Sequence, residues 1–135
     1  MSYEQDAFAA IANDLPNGLH DAELVGVSID LERRELLLTL RADISEADKG
    51  ETRSRFRSCS ILVSRLEFVS VDPLRPAVDA LADRAIDTGI LDGERLTAVH
   101  PTPLPEGCFA YWLFLNGPNC FVRFAAWGAD FRWLE

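Results

Sequence analysis

The 135-residue sequence lacks several features that mark common classes of enzyme. It contains a single lysine, Lys49, and neither the GxGxxG nor the GxxxxGK loop that cradles phosphates, which disfavours ATP, GTP and dinucleotide chemistry. It has no GxSxG nucleophile elbow, and only two histidines, His20 and His100, are available as a general base for a Ser or Cys nucleophile. We therefore expect no cofactor.

Long hydrophobic runs are also missing. The longest, such as YWLFL at 111–115, fall far short of the about 20 apolar residues that a membrane-spanning helix needs. Residues 1–15 carry acids where a secretion signal would carry basic residues. These features predict a cytoplasmic protein that does not bind a membrane.

Cysteine is scarce, and its spacing argues against a disulfide or a metal site. Cys59, Cys108 and Cys120 cannot all pair within one chain, and none lies in a CxxC arrangement. A hairpin turning at 116–119 would place Cys120 opposite Leu115, so Cys120 and Cys108 are not cross-strand partners. We expect free, buried thiols.

The charge that is present is mainly acidic, with 22 Asp and Glu against 13 Lys and Arg and a net charge of −9. An acidic surface repels nucleic-acid phosphates, so we expect no nucleic-acid partner. One basic strip, at Arg53, Arg55 and Arg57, shares a single face in an extended chain. These arginines are candidates for binding a carboxylate or phosphate, although the charged face of an edge strand is the commoner role for such a strip.

Apolar periodicity predicts a helix followed by a hairpin. The helix starts at residue 3 with a Ser2–Gln5 capping box, and its apolar stripe reaches Leu15. Two alternating runs then predict paired strands with their apolar faces inward. The inward residues are Val25, Val27, Ile29 and Leu31 in the first strand, and Leu36, Leu38 and Leu40 in the second.

The rest of the chain predicts further strands and a second helix. Residues 55–71 favour a long strand or a bent pair, and Asp72 would cap a helix whose stripe runs through Ile86 and stops at Gly89. Residues 95–99 favour a short strand, and residues 108–133 predict two aromatic strands with a third short segment after Gly128. The prediction for residues 1–135 is one α+β domain, a mostly antiparallel sheet of about five to seven strands with one or two packed helices.

The stretch LHDAEL at 19–24 is the strongest candidate for chemistry, because it places His20, Asp21 and Glu23 within four positions. Histidine is the usual acid and base near neutral pH, and a carboxylate can orient it. Neighbouring residues of a strand point to opposite faces, however, and HxxE spacing suits a metal only on a helix. The stretch therefore fits turn capping at the start of a strand better than it fits a small metal-dependent or acid–base enzyme centred on His20.

The segment NGLHDAELVGVSIDLERRELLLTL, residues 17–40, resembles the opening of a loosely defined group of small bacterial proteins. That group shows a Phe or Leu, then His-Asp, a small residue, an acid and an aliphatic residue leading into a hairpin; Leu19 to Leu24 fit this pattern. Some members are predicted immunity proteins of bacterial polymorphic toxin systems. The resemblance implies a non-enzymatic α+β domain that binds and neutralises a partner, with no catalytic residue.

The residues and the resemblance together lead to one main hypothesis, a protein-binding module. It would use the acids near the first hairpin, Asp30, Glu32 and Glu35 together with Asp21 and Glu23, to attract a basic protein partner. The structural alternative is a homodimer in which the aromatic strands pair between subunits.

Overall fold

Alternating apolar residues build one antiparallel sheet. The computed structural model describes residues 6–45, 55–73, 85–116 and 120–134. Within these ranges lie six strands, ordered β1-β2-β3-β6-β5-β4, and two helices, neither of which could span a membrane. The predicted α+β class and strand number are confirmed. In chain order the elements are α1 (Ala7–Asp14), β1 (Glu23–Asp30), β2 (Glu35–Asp43), β3 (Phe56–Val71), β4 (Ile86–Ile90), α2 (Gly93–Val99), β5 (Phe109–Leu115) and β6 (Cys120–Trp133).

The sheet curls until its two edge strands meet at one corner. Glu23 at the start of β1 forms an antiparallel bridge with Ala85, just before β4. The Asp21 N–H donates to the Ile86 carbonyl at 3.1 Å, and the Ile86 N–H donates to the Ala22 carbonyl at 2.9 Å. Beyond this corner, and among the described residues, β1 has a strand partner only on its β2 side.

The inner face of the curled sheet holds the hydrophobic core. Leu36, Leu38 and Leu40 of β2 are each at most 1% exposed, as their alternation predicted. Helix α1 contributes Phe8, which is 1% exposed and stacks edge-on against Phe124 at a centroid distance of 5.2 Å. The helix therefore covers the core over β6.

Helix α1 begins later than the sequence predicted. Asp6 caps it by accepting a hydrogen bond from the Ala9 N–H at 2.8 Å, and Asp6 also accepts one from the Tyr111 hydroxyl at 2.6 Å. The predicted Ser2–Gln5 capping box lies outside the described residues. The Asp6 carboxylate thus caps the start of the helix and also links the helix to β5.

The prediction that the apolar side chains of β1 are buried is wrong. Val27 pairs with Leu38 and Ile29 pairs with Leu36, so both side chains do lie on the core side of the sheet. They stay exposed because the sheet closes only at the start of β1, and a register shift after Leu24 takes the next residue out of the alternation. The exposed fractions are Val25 48%, Val27 36%, Ile29 40% and Leu31 79%.

The second predicted helix is wrong at its C-terminal end. Residues 74–84 lie outside the description, but Ala85 and Ile86 belong to the sheet, and Gly89 lies inside β4. A Cβ on Gly89 would come within 2.5 Å of the Trp112 ring, so the close approach of β4 to that indole requires glycine. The glycine that seemed to end a helix permits close packing within a strand.

Two other predicted elements also differ from the structure. Residues 95–99, predicted as a short strand, form most of α2, because so short an apolar run does not separate strand from helix. No third segment follows Gly128: β6 continues through it to Trp133, and the Ser64 hydroxyl of β3 fills the space that a Cβ at Gly128 would need. The long strand predicted at 55–71 is confirmed, as the single strand β3.

The cysteine prediction is confirmed in part. All three thiols are free, and Cys120 pairs with Leu115 across the β5–β6 hairpin. Cys59 and Cys120 are buried, whereas Cys108 is half-buried. Burial raises the pKa of each thiol, so all three are protonated and poor nucleophiles near neutral pH.

Candidate functional site

The LHDAEL stretch forms the corner at which the sheet closes. His20 Nδ1 lies 2.7 Å from Asp87 Oδ1 of β4, and His20 Nε2 lies 3.6 Å from Asp21 Oδ1. Asp21 has a left-handed φ of 68°, which lets its side chain approach His20 instead of pointing to the opposite face as it would in a strand. No local sequence pattern connects Asp87 with His20, so this partner was not predicted.

The chemistry available at this corner is limited by its exposure. A carboxylate beside an imidazole is the orienting part of an acid–base site, but the side chains of His20 and Asp87 are 70% and 43% exposed. Water competes for both groups there, so the pair lacks the dry surroundings that strengthen catalytic electrostatics. No group of three His, Cys, Asp or Glu side chains in the described ranges could hold a metal ion. The geometry fits a structural contact between the segment that precedes β1 and strand β4.

Glu23, the third candidate in this stretch, contacts Arg41 and not the His20–Asp87 pair. Its Oε1 lies 3.3 Å from Arg41 Nε on the neighbouring strand, an ion pair without the alignment of a hydrogen bond. Glu23 and Arg41 are also direct backbone partners in the β1–β2 hairpin. The structure therefore separates Glu23 from His20 and assigns it to the hairpin.

The acids predicted for protein binding cluster at the tip of the first hairpin. Asp30 orders the turn, since its Oδ1 accepts a hydrogen bond from the Arg33 N–H at 3.0 Å. Arg34 supplies the left-handed φ of 56° that the glycine-free turn needs. Glu32 is exposed, Glu35 is half-buried opposite Asp30, and within the described ranges neither glutamate forms an ion pair.

The arginine strip lies only partly within the described residues, so its role as an anion-binding comb stays a prediction. Arg53 lies outside the described residues, and Arg55 and Arg57 are exposed. Strand β3 lies between β2 and β6, but its pairing with β6 begins at Cys59. Within the described residues, Arg57 therefore has a strand partner only in β2. The Arg57 guanidinium lies 4.4 Å from the centre of the Trp133 ring, a cation–π contact that uses the face of this indole.

An apolar groove opens beside β1 where the sheet fails to close; we call it the β1 groove. It encloses about 380 Å³, with β1 as one wall and the ends of β3, β5 and β6 as the other. The sequence indicated the apolar face of β1, but no local signal shows where a curled sheet leaves a gap. The lining residues are Leu24, Val25, Gly26, Val27, Ile29, Val71, Leu115, Cys120 and Val122.

Two further titratable contacts stabilise the sheet. Asp72, predicted as a helix cap, accepts hydrogen bonds from Arg123 Nη1 at 2.8 Å and from the Phe121 N–H at 3.1 Å, and the hydrogen bond from Arg123 lowers its pKa. Burial, assisted by the hydrogen bond to Asp6, raises the pKa of Tyr111 far above its ordinary range. Both groups join strands or helices, and neither lies at the β1 groove.

The comparisons with known proteins add no relative. No family model, curated protein or solved structure matches the chain significantly. The resemblance of residues 17–40 to immunity-type proteins therefore stays a prediction.

Proposed function

We propose that the protein is a non-catalytic protein-binding domain of the immunity type, which neutralises a basic toxin by binding it with its first hairpin. The observation that carries this proposal is the exposure of four large apolar side chains in one stretch of β1 and its turn. Val25, Val27 and Ile29 line the β1 groove together, and a continuous exposed apolar patch is typical of an interaction surface. The most exposed is Leu31 at the hairpin tip, at 79%.

Charge supports the same surface and indicates the kind of partner. Glu32 and Glu35 lie beside the exposed apolar residues, and the chain as a whole has a net charge of −9. Complementary charge speeds encounter and selects the partner more than it increases affinity. A basic protein is therefore the partner that this hairpin suits best.

The alternatives have less support. An enzyme centred on His20 would have to work with a solvent-exposed histidine–aspartate pair that also joins β1 to β4. A homodimer through the aromatic strands would need a free strand edge, but β5 lies between β4 and β6, and β6 lies between β3 and β5. A protein-binding surface on the first hairpin requires neither a shielded catalytic pair nor a free edge on β5 or β6.

The test compares capture of a partner by three tagged proteins from a lysate of the source cell. The first is wild type, the second carries Glu32→Lys and Glu35→Lys, and the matched control carries Glu94→Lys and Glu106→Lys on exposed sites away from the hairpin. We expect wild type and control to retain one stoichiometric basic protein, releasable by salt, that the hairpin variant loses. Equal capture by all three proteins, or no stoichiometric partner of wild type, would count against the proposal.

A further inference from the structure

We infer that the partner occupies the β1 groove as an added strand: an extended segment with alternating apolar side chains and basic residues at both ends. This inference rests on the proposed function and specifies how the first hairpin binds. Strand addition takes affinity from main-chain hydrogen bonds and specificity from pockets for alternate side chains. The described part of the molecule offers both features along β1.

The backbone edge of β1 is suited to a further strand. Among the described residues, positions 24–30 pair only with β2, while Glu23 already has an antiparallel neighbour in Ala85 on the other side. Edge strands are normally protected from pairing by lysine, proline or a bulge. Strand β1 contains no lysine and no proline, and its register shift between Leu24 and Gly26 leaves the remainder regular.

The groove provides the side-chain pockets. Val27 and Ile29 lie on the core side of β1 and face a wall that includes Val71, Leu115 and Val122. Side chains of an added strand alternate between its two faces, so every second residue would enter this apolar space. The volume of about 380 Å³ suits a few aliphatic side chains.

Charge at the two ends of β1 selects a basic segment. Asp21 lies at one end, with its side chain 67% exposed, and Asp30 and Glu32 lie at the other. Arg33 offsets part of this charge, at 4.0 Å from Asp30. A segment lying along β1 therefore meets carboxylates at each end, and basic residues there complement them.

The same charges disfavour a second copy of this chain as the occupant of the β1 groove. In an antiparallel pair of β1 strands from two copies, the acidic start of each strand would face the acidic end of the other, and like charges in opposition destabilise a pair. A separate basic segment is the better match.

The test uses amide hydrogen exchange of the full chain with two synthetic probes. One is a short peptide that alternates valine and lysine, and the other replaces each lysine with glutamate. We expect the basic peptide to protect amides within residues 26–30 and the acidic peptide to leave them unchanged. Val27→Lys with Ile29→Lys should weaken binding of the basic peptide by about tenfold or more. Phe56→Lys with Ile90→Lys, a control that adds the same charge at two exposed apolar residues outside the groove, should weaken it less.

Four results would overturn the inference. They are failure of the basic peptide to protect β1, equal weakening by the control at Phe56 and Ile90, concentration-dependent protection with a dimer mass in the free protein, and protection of every amide at 26–30 in the free monomer. The last two would identify a second copy or this chain itself as the occupant. If the lysate test yields a partner that leaves β1 amides unprotected, strand addition fails while the binding function stands; if no partner is found, the binding function fails whatever the peptides do.

Discussion

His20 Nδ1 and Asp87 Oδ1 lie 2.7 Å apart across the corner where β1 and β4 close the sheet. The two residues come from distant parts of the chain, and backbone hydrogen bonds between Asp21, Ala22 and Ile86 surround their contact. The LHDAEL stretch therefore forms the corner that joins the two edge strands of the sheet.

Because this pair is exposed, we expect it to contribute little to stability. Asp87→Asn and His20→Ala should each lower the free energy of unfolding by less than about 1 kcal/mol, with the double variant close to either single one. Urea denaturation measures the three values, and Asp92→Asn at an exposed site is the control. A loss of several kcal/mol in the single variants would contradict this prediction.

The hydrogen bond between Tyr111 and Asp6 should contribute more, because it is partly buried and links α1 to β5. We expect Tyr111→Phe to lower the free energy of unfolding by about 1–2 kcal/mol, since the acceptor is a carboxylate that keeps only its cap to the Ala9 N–H. Denaturation gives the global effect, and hydrogen exchange in α1 gives the local one. Unchanged hydrogen exchange in α1 would show that this contact does not hold the helix against β5.

Acid sensitivity should depend on Asp72. Its pKa is lower in the folded protein, chiefly because of the hydrogen bond from Arg123, than in the unfolded chain, where an aspartate has a pKa of about 3.9. The unfolded state thus takes up the proton first, so the stabilising contribution is fully present above that value and is lost as the pH falls through the lower, folded pKa.

Asp72→Asn tests that dependence. We expect it to reduce stability at neutral pH and to flatten the decrease of stability below about pH 4, because the titrating carboxylate is gone. Thermal denaturation across the acid range measures both effects, with Asp92→Asn as the control. A variant whose acid profile runs parallel to wild type would refute the assignment.

Gly89 and Gly26 form a matched pair for testing close packing. A Cβ at Gly89 would lie 2.5 Å from the Trp112 ring, whereas one at Gly26 would meet nothing nearer than the Thr39 Cβ at 3.9 Å. We expect Gly89→Ala to lower the free energy of unfolding by about 1–3 kcal/mol and to shift the tryptophan fluorescence, while Gly26→Ala changes both little. Equal effects would mean that β4 shifts away from the indole without cost.

Local pattern was sufficient for much of this fold. The alternation of Leu36, Leu38 and Leu40 correctly predicted the buried face of β2, and the run at 55–71 predicted β3, because a period of two directly indicates a strand with one face inward. The free thiols and the pairing of Cys120 with Leu115 also followed from spacing alone. Each of these features depends on residues close in the chain or on one hairpin.

Tertiary structure decided what local pattern could not. Val27 and Ile29 have the same alternation as the buried leucines, yet they are exposed because the sheet closes only at the corner beside Glu23 and Ala85. The partnership of His20 with Asp87 depends on the same closure. Residue order determines which face of a strand is apolar, but whether another element covers that face depends on how far the whole sheet curls, which is set by long-range packing and hydrogen bonding.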